Sequence, residues 1–325
     1  VAETTTIEWT RNDDGTPGRT WNPATGCTKI SAGCDNCYAE TIAERFRGHA
    51  AFPKGFDVQL RHEKVNDPLT WRKPTRVFVN SMSDLFHQDI DAAWIADIFA
   101  VMAAAQKHTF QLLTKRHARM RHLLNDPAFV DQVRSRAHGK GLPADQWQWP
   151  LTNVWLGVSV EDQKWADIRI PALLHTPAAV RFLSCEPLLG PVDLKQAVIP
   201  MGSERGHGLT ASYVHAGGCC TNRLHGIDWV IAGGESGRKA RAMHPDWARG
   251  LRDQCAQASI PFFFKQWGEW APTGYLVIGG TSRGAYLIGD PVDDLGHRVE
   301  VHRIGKKAAG RELDGRTHDA FPAPR

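Results

Sequence analysis

Cys27, Cys34 and Cys37 stand in a C-x6-C-x2-C array near the start of this 325-residue chain. The C-x2-C pair is short enough for two thiolates to face one centre, and Gly33 lets the intervening loop fold Cys27 back towards them. Three soft sulfur ligands suit zinc or an iron–sulfur cluster. Structural zinc takes a fourth protein ligand, yet no further Cys or His stands within short reach, and the next downstream is His49. A [4Fe–4S] cluster held by three thiolates leaves one iron open to another ligand. The count of three favours such a cluster over a zinc site or unliganded core thiols.

The other reactive residue types are scattered. Cys255 lies in the helical pattern Trp247–Ala258 and reads as core packing, while Cys219 and Cys220 sit in a Gly-rich stretch. Fifteen histidines form no H-E-x-x-H or H-x-H motif, and His87 near Asp84 is the best isolated candidate for a metal ligand. No Walker loop and no G-x-G-x-x-G after a strand occurs, so nucleotide hydrolysis and Rossmann-type cofactor binding lose support.

The elements that must position these groups are short apolar runs, each ending in polar residues. Arg76–Asn80 leads to Ser81, Ser83 and Asp84; Thr109–Leu113 leads to Thr114, Lys115 and Arg116. Asn153–Val160 leads to Glu161 and Asp162; Val180–Ser184 leads to Cys185, Glu186 and Pro187. Asp228–Ala232 leads to Gly233, Gly234 and Glu235; Pro261–Phe264 leads to Lys265 and Gln266. With a strand around Asn22–Lys29 the series has seven members. Near-continuous apolar strands alternating with helices specify a parallel sheet covered by helices, an α/β (β/α) barrel or partial barrel of about six to seven strands. Chemistry then belongs at the carboxyl ends of the strands. A helix is expected from Tyr38 to Phe46, closed by Gly48, which places the Cys array near the positive end of a helix.

The expected organisation is a barrel-like unit over 1–270, with insertions at about 121–150 and 195–226. A small C-terminal appendage follows over 271–325, with a frayed tail from Lys306. Hydrophobic residues make up 42% and charged residues 23%, which excludes wholesale disorder. The net charge of +4 permits an anionic partner without demanding one. No apolar run is long enough to span a bilayer. The opening residues carry neither a basic nor an apolar signal region, and a cytoplasmic location without membrane contact is expected. The twelve tryptophans suit core packing or stacking on a flat ligand.

These blocks resemble the uncharacterised bacteriophage and bacterial three-Cys-motif proteins, from Thr6–Trp9 to Trp267–Trp270. The resemblance rests on Trp21-Asn22-Pro23, the Cys array, Asn80–Phe86, Leu113–Arg116, Gly157–Asp162, Ser184–Gly190 and Gly233–Gly237. The order of parts is more distantly similar to radical S-adenosylmethionine (SAM) enzymes of the spore-photoproduct-lyase-like branch. That likeness is carried by Cys34, Cys37 and Tyr38, by Ser83-Asp84 and by Thr114-Lys115. The first Cys spacing is six residues, where that superfamily usually has three, and Asn36 stands where it often has an aromatic residue.

The resemblance implies a [4Fe–4S] cluster on Cys27, Cys34 and Cys37 that binds SAM and reductively cleaves it to a 5′-deoxyadenosyl radical, with an external electron donor. Cofactor contacts are expected from Tyr38 and, at the inferred strand ends, from Ser81, Asp84, Lys115, Ser159, Glu161, Glu186, Gly233, Gly234 and Glu235; Glu186 and Gly233-Gly234-Glu235 stand on later strands than the superfamily's Gly-Gly-Glu element and are not equated with it. Asp84 and Lys115 would serve catalysis, and Cys185 would return a hydrogen atom to a substrate radical. The expected substrate is nucleic acid or a nucleotide, supported by the basic stretch Arg116–Arg121. The alternatives are a zinc-stabilised nucleic-acid-interaction module without catalysis, and a metal-dependent hydrolase built on strand-end carboxylates and His87.

Overall fold

The structure is a computed structural model and describes residues 4–195, 226–275, 285–290 and 298–323. In chain order its elements begin with β1 (Arg19–Trp21), β2 (Ala24–Thr25), α1 (Tyr38–Arg45), β3 (Gln59–Leu60), α2 (Asp67–Thr70) and β4 (Arg76–Val79). Then come α3 (Ala92–Ala104), β5 (Thr109–Thr114), α4 (His117–Asn125), α5 (Pro127–Gly139), β6 (Val154–Ser159), α6 (Gln163–Leu174) and β7 (Val180–Cys185). The chain continues through β8 (Trp229–Gly233), α7 (Pro245–Ala258), β9 (Phe262–Gln266), β10 (Trp270–Tyr275), β11 (Ala285–Ile288) and β12 (Val299–Arg303).

β1, β4, β5, β6, β7, β8 and β9 form one seven-stranded sheet in that order, and every pairing is parallel. Spatial order equal to chain order means that no crossover reverses direction. Right-handed connections then lay their helices on one side, and the sheet curls into a half-barrel rather than a doubly wound sheet. Side-chain alternation separates two cores. Val77, Val79, Leu112, Leu156, Val158, Leu183 and Val230 join the helix-facing core. Phe78, Trp155, Phe182, Trp229 and Phe263 point inward, where Trp9 from the turn Glu8–Thr10 fills the barrel. The Trp9 and Phe78 ring centroids are 4.6 Å apart, edge to face. Gly157 leaves room in this layer, since a Cβ there would lie 2.4 Å from the Phe182 ring. These buried tryptophans pack the core.

The helices start at chemical signals. The Asp91 carboxylate accepts the Trp94 amide at 2.6 Å to open α3, and Asp162 does the same for α6 through Trp165 at 3.1 Å. Asp162 stands just beyond β6, so its cap fixes where that crossover begins, whereas Asp91 opens α3 only after the loop 80–90 that follows β4.

Two expectations change. The first strand is Arg19–Trp21 rather than Asn22–Lys29, because Pro23 removes a backbone donor; only Ala24–Thr25 re-enters a ladder, antiparallel to β3. The stretch expected as an insertion, 121–150, contains α5, a full helix that packs against α3. The chain beyond Lys306 is a docked strap rather than a frayed tail. The Phe264 amide donates to the His318 carbonyl at 2.9 Å, and Trp229 Nε1 donates to the Ala320 carbonyl at 2.8 Å. Phe321 lies 5.0 Å from Trp229, and Asp314 accepts from Arg249 at 2.7 Å and Arg252 at 2.5 Å. The aromatic inner face is wide enough to hold one more apolar segment, and the tail supplies it. A three-stranded antiparallel sheet, β10-β12-β11, precedes this strap. Residues 196–225, with Cys219 and Cys220, lie outside the described residues. No helix among the described residues is long and apolar enough to cross a membrane.

Candidate functional site

The Cys loop runs from Gly26 to α1 and lies across the carboxyl ends of the parallel strands. Its start is set by Gly26, whose amide donates to the Met82 carbonyl at 2.9 Å and which has φ +88°. A side chain at Gly26 would collide with the Asp57 carbonyl. Its end is set by α1, which begins directly after Cys37 as its sequence pattern predicts; the last helical residue is Arg45, and Gly48 follows at φ +87°.

Four strand-end groups fasten the loop. Glu161, just beyond β6, is fully buried and accepts the Ser31 hydroxyl at 2.7 Å. The same carboxylate pairs with the fully buried Arg169 at 2.7 Å and with Lys115 at 3.4 Å. Gly33 rests on it so closely that a Cβ would sit 2.4 Å from Glu161 Oε1. Beyond β8, Glu235 accepts the Asn36 amide at 3.0 Å and is clasped by Arg241 at 2.7 and 2.9 Å. Burial pushes the Glu235 carboxyl up, but hydrogen bonds from the Arg241 side chain and backbone and from Asn36 outweigh it, so the group stays below its ordinary value. Arg241 also donates to the Ala32 carbonyl at 2.8 Å. Beyond β5, Arg116 donates to the Thr28 hydroxyl at 2.9 Å and the Thr28 carbonyl at 3.1 Å.

The three thiols are unpaired and half-buried. Cys27 Sγ lies 3.8 Å from an Arg116 guanidinium nitrogen, and Cys34 Sγ lies 3.9 Å from the Ser31 hydroxyl. Burial, with the charge of Asp84, pushes the Cys27 thiol up to about 11 against the opposing pull of Arg116. Such a thiol keeps its proton until a cation displaces it. Among the described residues no three His, Cys, Asp or Glu side chains are drawn together as an ion-holding group. Three sulfurs in one loop are the kind of soft ligand that zinc or an iron–sulfur cluster takes.

The remaining predicted residues divide by role. Lys115 points at the loop side of the sheet and donates to the Ser159 hydroxyl at 3.1 Å. Asp84 ties two strand ends together, accepting the Thr114 hydroxyl at 2.7 Å and the Lys115 amide at 3.0 Å. The Tyr38 hydroxyl donates to the Ser81 carbonyl at 2.5 Å while the side chain stays exposed. Glu186 pairs with Lys265 at 2.9 Å and accepts from Gln266 at 2.9 Å. Gly233 and Gly234 allow close backbone approach: a Cβ on Gly234 would lie 1.9 Å from the Trp267 carbonyl oxygen. These residues stand at the strand ends.

Two candidates stand elsewhere. Cys185 follows Ser184 on β7 and joins the helix-facing core with Cys255, so its thiol points away from the loop side. Burial raises its pKa strongly. His87 is buried, and its Nδ1 accepts the Asp89 amide at 3.1 Å, leaving Nε2 to donate to the Thr28 hydroxyl at 2.8 Å. It supports the loop next to Cys27.

A family model described as a protein of unknown function (DUF5131) matches residues 4–322. The chain belongs to that family. Membership in an uncharacterised family is what the three-Cys resemblance led us to expect. One solved structure, "Spore photoproduct lyase complexed with dinucleoside spore photoproduct", is similar over 72% of this chain and 71% of that one, with 12% identity and a TM-score of 0.36. No curated protein matches the chain.

Several residues of this DUF5131 site were not singled out from sequence. Ser31 lies inside the array as an ordinary loop residue. Arg169 and Arg241 follow their carboxylates by eight and six residues, a spacing that helix α6 and the turn after β8 convert into contact. Asn36, noted only as a departure from the superfamily pattern, is the residue that reaches Glu235.

Proposed function

We propose that this protein is a radical-SAM-like iron–sulfur enzyme that acts on nucleic acid or a nucleotide, with an external electron donor. The observation that carries the reading is a loop bearing three unpaired thiols, fastened by buried carboxylates over the strand ends of a parallel half-barrel. Cys27, Cys34 and Cys37 would hold a [4Fe–4S] cluster and leave one iron for SAM. When bound, the pair supplies one-electron chemistry that yields a 5′-deoxyadenosyl radical.

The chain's own residues do the positioning. Arg116 beside Cys27 offsets thiolate charge and holds the first limb of the loop. Glu161 and Glu235 hold the second limb through Ser31, Gly33 and Asn36. Lys115 brings a cation to the same face and is kept in place by Ser159 and Glu161. It is suited to pair a carboxylate or phosphate. The packed aromatic interior beneath excludes water from this side of the site.

Anaerobic reconstitution with iron and sulfide tests the proposal. About four irons per chain, a brown colour bleached by dithionite, and formation of 5′-deoxyadenosine from added SAM are the expected results. Cys27→Ala, Cys34→Ala and Cys37→Ala should each abolish the cluster. Full iron content in all three variants, or a colourless protein carrying one zinc, overturns the assignment.

A further inference from the structure

A separate cavity of about 340 Å³ opens at β1, the free edge of the seven-stranded sheet. Arg19, Arg61 and Lys64 line it, opposed by one lining carboxylate, Asp67. Arg19 is held with its guanidinium 4.8 Å from the centre of the Trp71 ring. Arg61 is anchored through the Ala51 carbonyl at 2.9 Å and an exposed partner, Glu63, at 2.9 Å. Lys64 forms no ion pair with a described residue, and the same holds for the exposed Arg72 and Lys73, which follow Trp71 in the chain. Five cations against three carboxylates, Asp67, Glu63 and Asp14 near Lys73, leave this edge of the molecule positive.

The chemistry of the walls is mixed in a specific way. The arginines offer planar forks that match phosphate oxygens. Asp67, Thr20 and Thr70 can bond sugar hydroxyls, and Phe52 with Met82 provides an apolar wall for a base. A volume of this size belongs to the range of small-ligand sites. The cavity also adjoins the Cys loop: Met82 lines it, and the Met82 carbonyl accepts the amide of Gly26, the residue before Cys27.

We propose that this cavity binds a nucleoside phosphate, either free or as one unit of a strand that continues over Arg72 and Lys73. The inference goes beyond the proposed chemistry, because binding here needs none of the three thiols.

The test is fluorescence anisotropy of the full chain with a short labelled single-stranded oligodeoxynucleotide, with adenosine monophosphate and inorganic phosphate as competitors. Lys64→Glu should weaken strand binding by about tenfold or more and lower the salt slope by about one. Lys64→Gln should do so more mildly, and Lys195→Glu, remote from the cavity, should leave it unchanged. Competition by adenosine monophosphate but not by inorganic phosphate identifies the free nucleotide as a sufficient ligand. Strand binding that resists adenosine monophosphate yet falls in Lys64→Glu identifies the strand as the source. Wild-type affinity in folded Lys64→Glu and Lys64→Gln, no binding by the wild type, or equal competition by inorganic phosphate overturns the proposal. Cys34→Ala should bind as the wild type does, so a failed cluster assignment and a failed cavity assignment give different results.

Discussion

Replacing Glu161 by Ala removes more than one contact. Arg169 loses its carboxylate partner at 2.7 Å and keeps the Ser159 carbonyl and the Trp165 ring, 3.9 Å away. Its Nε and second Nη already lack hydrogen-bond partners, so the charge is left uncompensated in the core. Breaking a buried pair in this way costs about 3–5 kcal/mol. At this chain length the loss lowers the melting temperature on the order of 10 °C. The same change takes the acceptor from the Ser31 hydroxyl and the support from under Gly33, so the Cys loop lifts. Glu161→Gln keeps an acceptor but no charge, and its effect should fall between Ala and wild type. Calorimetry reports the stability, and maleimide labelling of Cys34 read by mass spectrometry reports the loop. A melting temperature within about 2 °C of wild type, together with unchanged labelling of Cys34, would refute the idea that Glu161 couples the barrel to the loop.

Gly33→Ala should raise Cys34 labelling and lower iron uptake, with a stability loss of about 1–3 kcal/mol by calorimetry, because the added methyl meets a carboxylate that Arg169 holds fixed. Gly234→Ala should destabilise far more than Gly233→Ala in urea unfolding, since the first Cβ would lie 1.9 Å from a backbone oxygen and the second 3.4 Å from its nearest atoms. Asp314 is held down to about 2 chiefly by the hydrogen bond from Arg249; burial opposes this, and the hydrogen bond from Arg252 adds to the pull. A depressed folded-state value contributes stability above the ordinary pKa of 3.8 and loses it as pH falls towards about 2. Asp314→Asn should therefore flatten the pH dependence of tail protection in hydrogen exchange across that window, and an unchanged profile would count against the strap's ion pairs.

Much of the half-barrel was legible because its strands are buried on both faces. Runs such as Val154–Ser159 and Val180–Cys185 are apolar with polar ends, and each end carries a site residue. The Cys array stands out in the sequence because it sets three sulfurs in one loop, and that loop is the one the strand ends fasten. The fastening of that loop was not. Ser31 meets Glu161 across 130 positions and Asn36 meets Glu235 across 199, and a single sequence shows no sign of such pairings. Cys185 was misread because the residue at a strand's end takes its direction from alternation along the strand; the inward position is Ser184, one residue earlier. The first strand was displaced because apolar and polar residues around Pro23 suit either a strand or the bend that follows one.

The docked C-terminal strap has a consequence for how the molecule is made. During synthesis the outer border of the seventh parallel strand stays bare until the residues around His318 to Phe321 have emerged, long after the other six strands are available. Until then a nascent chain carries an aromatic, unsealed border of the kind that pairs with other chains. Removal of residues 314–325 should therefore show itself first as aggregation during expression.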